Sequence, residues 1–269
     1  MSAVRGHMQP AMAVVKRDLL LSWSYRLQFV TGIFSGFVSL AVFYYISRLV
    51  RVEEFSPEAY FAFAAIGIVI FTVLTSTLQI PQTTLRQELV AGTFERFLLA
   101  PWSSAVTVAA LLVFPALYAL TSVIGLIGVG AAVFGLQLSW ATVPLALPIA
   151  ILSLLAFAPF GVLLLASVIR IKKAPPGANY MIAGLSLIGG LYFPIALLPG
   201  WLRWASEAQP LTPAVELLRS TLVGQSLADP AWLSLGKLFA FALVALPASI
   251  FVLRRAIDAG RLSGTILEY

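Results

Sequence analysis

The chain has 269 residues, of which 60% are hydrophobic and only 10% charged, with a formal charge of +6. Soluble domains carry about 25% charged residues, so the composition excludes a water-soluble fold of this length and points to a membrane protein. Cysteine is absent and His7 is the single histidine, which removes disulfides, thiolate metal sites and cysteine nucleophiles from consideration. A basic excess in such a chain marks the loops on one side of the bilayer rather than a nucleic-acid partner.

Residues 1–26 combine Lys16, Arg17 and Arg26 with Trp23 and Tyr25. Basic and aromatic side chains at the entrance to an apolar run suit a cytoplasmic interfacial segment. No separate short apolar core of the signal-peptide kind is expected ahead of the first run. A membrane span needs about 20 apolar residues. The first candidate runs from Leu27 to Ser47 and the second from Ala59 to Ile80. No charge appears between Arg96 and Arg170, and that stretch accommodates two spans, Ser104–Phe134 and Ala141–Ile169, joined by Gly135 to Trp140. Pro115 and Gly125, Gly128 and Gly130 suggest a bend in the third. The fifth candidate is Asn179–Leu198, with Pro194 and Pro199 expected to break its end, and the sixth is Ala231–Leu253. The reading is an all-α polytopic protein: an interfacial segment 1–26, a six-span domain 27–253 and a cytoplasmic tail 254–269.

Six spans put both termini on one side. Of the 17 Lys and Arg residues, only Arg48, Arg51, Arg203, Arg219 and Lys237 then fall on the other side, so both termini are expected in the cytoplasm. The first five spans carry no acid or base in their interiors, and Lys237 lies near one end of the sixth, where it can snorkel. This leaves no carboxylate relay for a proton-driven transporter. Nor does the chain hold HExxH, GxSxG or the GxxxxGK[ST] nucleotide loop. Any uphill movement therefore calls for energy from another chain.

One charged interruption stands out, QELVAGTFERFLLAP, Gln87 to Pro101. Read as a helix from Leu85 to Leu99, it places Glu88, Gly92 and Glu95 on one face, with Val90, Phe94, Phe97 and Leu98 opposite. Gly92 is a point where it divides in two. An ordinary solvated loop helix fits the same periodicity. Gly32 and Gly36 in the first span permit close helix packing, as in a dimer, although such a spacing is frequent by chance in apolar runs. Phe34, Phe37 and Tyr44, with Tyr192 in the fifth span, are candidates for lining a substrate path, and lipid-facing packing explains the same aromatics.

The segment Glu88 to Pro101 resembles the first cytoplasmic loop of ABC-2-type exporter permeases, with Glu88, Gly92, Thr93, Glu95 and Pro101 at the matching places. A second stretch, YFPIALLPGWLRWASEAQPLTPAVELLRS from Tyr192 to Ser220, is similar to the same family's Phe-Pro, Leu-Pro-x-Trp and Pro-Leu-Thr series, with Gln209 where Asn is common. The ending RRAIDAGRLSGTILEY resembles the family's short basic tail. The resemblance implies a permease subunit in a prokaryotic inner membrane, paired with a second copy of itself and with two copies of a separate ABC ATPase. ATP and Mg would be bound by that ATPase, with no cofactor in this chain. It further implies that Glu88, Gly92, Thr93, Glu95 and Arg96 form a coupling helix seated on the ATPase, that the N-terminal segment is an interfacial helix, and that short outer-leaflet helices precede the last span. The Gly-Thr-x-Glu pattern favours a drug or lipid cargo over a polysaccharide. A glycan exporter, a non-transport assembly factor and a secondary transporter remain as alternatives.

Overall fold

The computed structural model describes residues 26–49, 56–94, 104–171, 177–191, 195 and 198–262. The interfacial segment 1–25, the extreme tail 263–269, and Tyr192, Glu95, Arg96, Phe97, Leu98 and Pro101 lie outside the described residues. Within them every regular element is helical: α1 (Arg26–Leu49), α2 (Pro57–Val90), α3 (Ser104–Ala109), a 3₁₀ turn (Ala110–Leu112), α4 (Val113–Phe134), α5 (Val143–Ile171), α6 (Gly177–Ile188), α7 (Gly200–Ala208), α8 (Leu211–Val223) and α9 (Ala231–Leu262). Five stretches are long and apolar enough to cross a bilayer, Thr31–Leu49, Pro57–Val90, Thr107–Phe134, Val143–Ile171 and Ala231–Leu262. The chain is a polytopic membrane protein.

The two innermost helices are α2 and α5. The most apolar window of α2 is 78% buried, against 17% for α1 and 11% for α9. The outer pair therefore turns most of its surface away from this chain. α2 starts at a capped end, with Pro57 in the first turn and Ser56 Oγ accepting from the Ala59 amide at 3.2 Å. Along its length Thr72, Ser76 and Thr77 return their hydroxyls to carbonyls four residues back, which hides polar atoms that a bilayer cannot solvate. At 34 residues α2 is about 51 Å long, well beyond the roughly 30 Å of hydrocarbon. It carries ten residues past the predicted end at Ile80, straight through Pro81.

One other expectation is corrected. The fifth predicted span, Asn179–Leu198, is only the 12-residue α6, about 18 Å long and too short to cross alone. Its end is set by Gly189 and Gly190, not by the prolines: Gly190 takes φ +70°, a left-handed conformation that ends the helix. α7 and α8 then follow as the short helices anticipated before the last span. The Gly32 and Gly36 pair serves packing within the chain. A methyl on Gly32 would collide with the Tyr118 hydroxyl, and one on Gly36 with Leu126, so these glycines let α1 close on α4.

Two in-helix prolines and a 3₁₀ turn meet at one level. Pro81 deprives the Thr77 carbonyl of its helical donor, and Gly161 of α5 lies against that oxygen, where a Cβ would come within 2.9 Å. The same Cβ would come within 2.8 Å of Leu112, in the 3₁₀ turn that precedes Pro115. Pro159, inside the continuous α5, lies half a turn away. On one side of this level lies a core of Leu85, Leu89, Phe94, Leu111, Leu165 and Leu253. On the other is a larger one around Ile70, Leu74, Phe157, Leu191 and Leu218.

Candidate functional site

α2 ends in a turn built by backbone hydrogen bonds. The Thr93 amide donates to the Glu88 carbonyl at 3.0 Å and the Gly92 amide to the Leu89 carbonyl at 3.1 Å. With Gly92 at φ +68°, this is a Schellman motif. The Thr93 hydroxyl also donates to the Glu88 carboxylate. Glu88, Gly92 and Thr93 are thus one unit at the tip of α2, with Gly92 exposed and Glu88 and Thr93 partly so.

The continuous helix predicted from Leu85 to Leu99 is not formed. Gly92 stops it, and the predicted apolar face is split: Val90 is 64% exposed while Phe94 is 2% exposed. The turn swings Phe94 back into the core between α2, the start of the third span, the end of α5 and α9. Glu95 and Arg96, the remaining members of the predicted set, lie outside the described residues. Gly92 as the dividing point was legible; the swing of Phe94 was not, because helical periodicity cannot be continued through a left-handed residue.

The predicted path residues separate. Phe37 and Tyr44, seven residues apart on one face of α1, pack on Phe134 with centroid separations of 5.5 and 5.3 Å, and Tyr44 makes an edge contact with Phe61 at 5.4 Å. Phe34 points away and is 64% exposed. Tyr192 lies outside the described residues.

A residue that sequence reasoning treated as a loop charge is the best-held polar group at the opposite end of the bundle. Arg219 on α8 is buried. Its Nη1 donates to the Gly190 carbonyl at 2.9 Å, and its Nη2 to the carbonyls of Leu191 at 2.8 Å and Phe63 at 3.2 Å. Its guanidinium carbon stands 3.4 Å from the Phe63 ring centroid. Gly67 allows the close approach, since a Cβ there would run into the Leu191 carbonyl. One cation therefore clamps the turn after α6 onto α2, supplying donors to the non-helical carbonyls of Gly190 and Leu191 and a further one to the Phe63 carbonyl within α2. Burial pushes its pKa down to about 9, with Glu216 opposing, so it stays charged at neutral pH. Glu216, one turn earlier, is raised by burial and by Asp229, against the pull of Lys237 and Arg219. The signal was available: in AVELLRSTLV the arginine follows apolar residues at helical spacing, which places it on a face that must be covered. The same region holds a buried Gln209 whose amide oxygen and nitrogen have no partner among the described residues.

No match to the chain was found among curated proteins. The family model for the ABC-2 type transporter matches residues 10–223, which takes in the Glu88 turn, the Arg219 clamp and every helix up to α8. The chain belongs to the ABC-2 type transporter family and is a multi-pass permease subunit of an ABC transporter.

Proposed function

We propose that this permease is half of the membrane domain of an ATP-driven exporter, two copies working with two copies of a separate ATPase to move a hydrophobic or amphipathic molecule out of the cytoplasm. Both termini and the Glu88 turn face the cytoplasm of a prokaryotic inner membrane. ATP and Mg are held by the ATPase, and Glu88, Gly92, Thr93, Glu95 and Arg96 meet its surface. The observation that carries this reading is the construction of the turn. Its acidic, hydroxyl-capped side is presented at the end of the bundle, while Phe94, one residue beyond, is sunk between three long helices and the start of a fourth. A displacement applied to the turn is thereby passed to α2, α5 and α9 together. An amphipathic cargo fits the aromatic and otherwise apolar surface of α1, which is turned largely away from the rest of the chain.

The test is co-expression with the cognate ATPase and reconstitution in vesicles. Glu88→Lys with Glu95→Lys places two cations where the ATPase is expected to meet carboxylates, and like charge at an interface costs several kcal/mol. The variant should reach the membrane in normal amounts, lose ATPase co-purification and lose ATP-dependent transport. Wild-type transport by this variant overturns the coupling assignment. Transport driven by an ion gradient without ATP overturns the exporter, and accumulation inside inward-facing vesicles against outside sets its direction.

A further inference from the structure

Between the end of α1, the start of α2 and the end of α4 lies a cleft of about 650 Å³, within the roughly 300–1,000 Å³ usual for small-ligand sites. Its wall is aromatic, formed by Tyr44, Phe61 and Phe134. Its mouth is charged. Arg48 stands over the Tyr44 ring, 5.2 Å from the centroid, and faces Glu58 with 3.9 Å between Nη1 and Oε1. Both charges are more than half exposed. This is a long, solvated pair that a ligand can enter without breaking a buried bond.

Depth in the membrane narrows the ligand. Trp140, in the loop after α4, and Trp232, in the first turn of α9, are both exposed at this same end of the bundle. That loop is tied to α8 by Ser139 N to the Leu222 carbonyl at 2.8 Å and Thr142 Oγ1 to the Thr221 carbonyl at 2.6 Å. Exposed tryptophans mark the headgroup level of a bilayer. The mouth therefore opens among headgroups, while the wall continues toward the hydrocarbon along Phe37.

We propose that this cleft binds a zwitterionic phospholipid of the surrounding leaflet, its phosphate on Arg48, its ammonium on Glu58, and the upper part of an acyl chain on Tyr44, Phe61 and Phe134. A purely anionic headgroup satisfies Arg48 but meets the Glu58 carboxylate, and a purely cationic amphipath meets the reverse conflict. Only a headgroup carrying both charges complements both. The site requires membrane insertion alone and stands whether or not the chain exports anything.

The experiment is binding of short-chain fluorescent phosphatidylethanolamine and phosphatidylglycerol to the purified full chain in detergent. The wild type should hold the zwitterionic lipid about tenfold tighter. Glu58→Gln should abolish that preference by admitting phosphatidylglycerol, and Arg48→Gln should weaken both lipids. Melting curves identify a variant that fails to fold. Because Glu58 is exposed, its variant decides the outcome even where the arginine variant does not fold. Equal binding of the two lipids by the wild type overturns the proposal, as does a preference unchanged in Glu58→Gln. Free phosphoethanolamine competing as well as the lipid overturns the membrane source and indicates a soluble ligand.

Discussion

Arg219 stacks on the ring of Phe63 and donates to the carbonyl of the same residue, so one side chain of α8 holds both the face and the backbone of one residue of α2. The planar fork of arginine makes this combination possible, since its donors lie at the edge of the group and its face remains free. Arg219→Lys keeps the charge but cannot reproduce three donor directions with a stacked face. It should lower the melting temperature in detergent clearly, and Arg219→Ala should cost about 3–5 kcal/mol, the range for breaking a buried charged network. Phe63→Leu, which keeps the carbonyl and removes the ring, should cost less, on the order of 2 kcal/mol. Fluorescence-monitored unfolding of the three variants orders them.

Phe94 should dominate the stability of the Glu88 turn. Phe94→Ala empties a fully enclosed site and should cost about 3–5 kcal/mol. Gly92→Ala meets no neighbour but must hold a positive φ, and about 1 kcal/mol is expected. Limited proteolysis after Val90 should accelerate in both variants, more in the first.

Gly161→Ala tests the level at which Pro81, Pro159 and the 3₁₀ turn meet. The added methyl meets the Thr77 carbonyl and Leu112, and overpacking of this kind costs about 1–3 kcal/mol. Gly125→Ala has open space around it and should be near neutral. Melting temperatures of the pair in the same detergent provide the comparison.

Glu216 makes stability depend on pH. Its folded pKa is raised above 4.5, chiefly by burial. A raised carboxyl binds its proton more tightly in the folded state, so its favourable contribution is full below pH 4.5 and is lost as pH rises through the folded value. Glu216→Gln removes the titration. The melting temperature of the variant relative to wild type should therefore rise from acid toward neutral pH, and a difference independent of pH would contradict the assignment.

Gln209 is buried with both amide atoms unpaired among the described residues, an arrangement that costs stability. Gln209→Met should leave the melting temperature unchanged or raise it. A loss of transport in a variant that is no less stable would place the amide on the cargo path.

The long helices were legible because a bilayer imposes length and apolarity on any helix that crosses it, and α1, α2, α5 and α9 begin within a few residues of where the apolar runs begin. Their ends were less legible. α2 runs through Pro81 because a proline deep in a packed helix costs one donor, which close contact with Gly161 makes tolerable. α6 stops at Gly189 and Gly190 because glycine leaves helical geometry cheaply, whereas the same apolar run reads as continuous. At the functional ends, Glu88, Gly92 and Thr93 could be picked out as a group, but not the return of Phe94 into the core. Arg219 was counted as an outward-side charge because the rule that orients a membrane protein weighs cations by number, and says nothing of three carbonyls waiting in distant parts of the chain.

Those carbonyls also impose an order on biosynthesis. Gly190 and Leu191 are synthesised 29 and 28 residues before the side chain that satisfies them, and Phe63, which shares it, 156 residues before. At roughly 5–20 residues per second, the turn after α6 emerges seconds ahead of the arginine that donates to it. The arginine of α8 thus carries an earlier-made turn onto a helix made long before, while α9 has still to be synthesised.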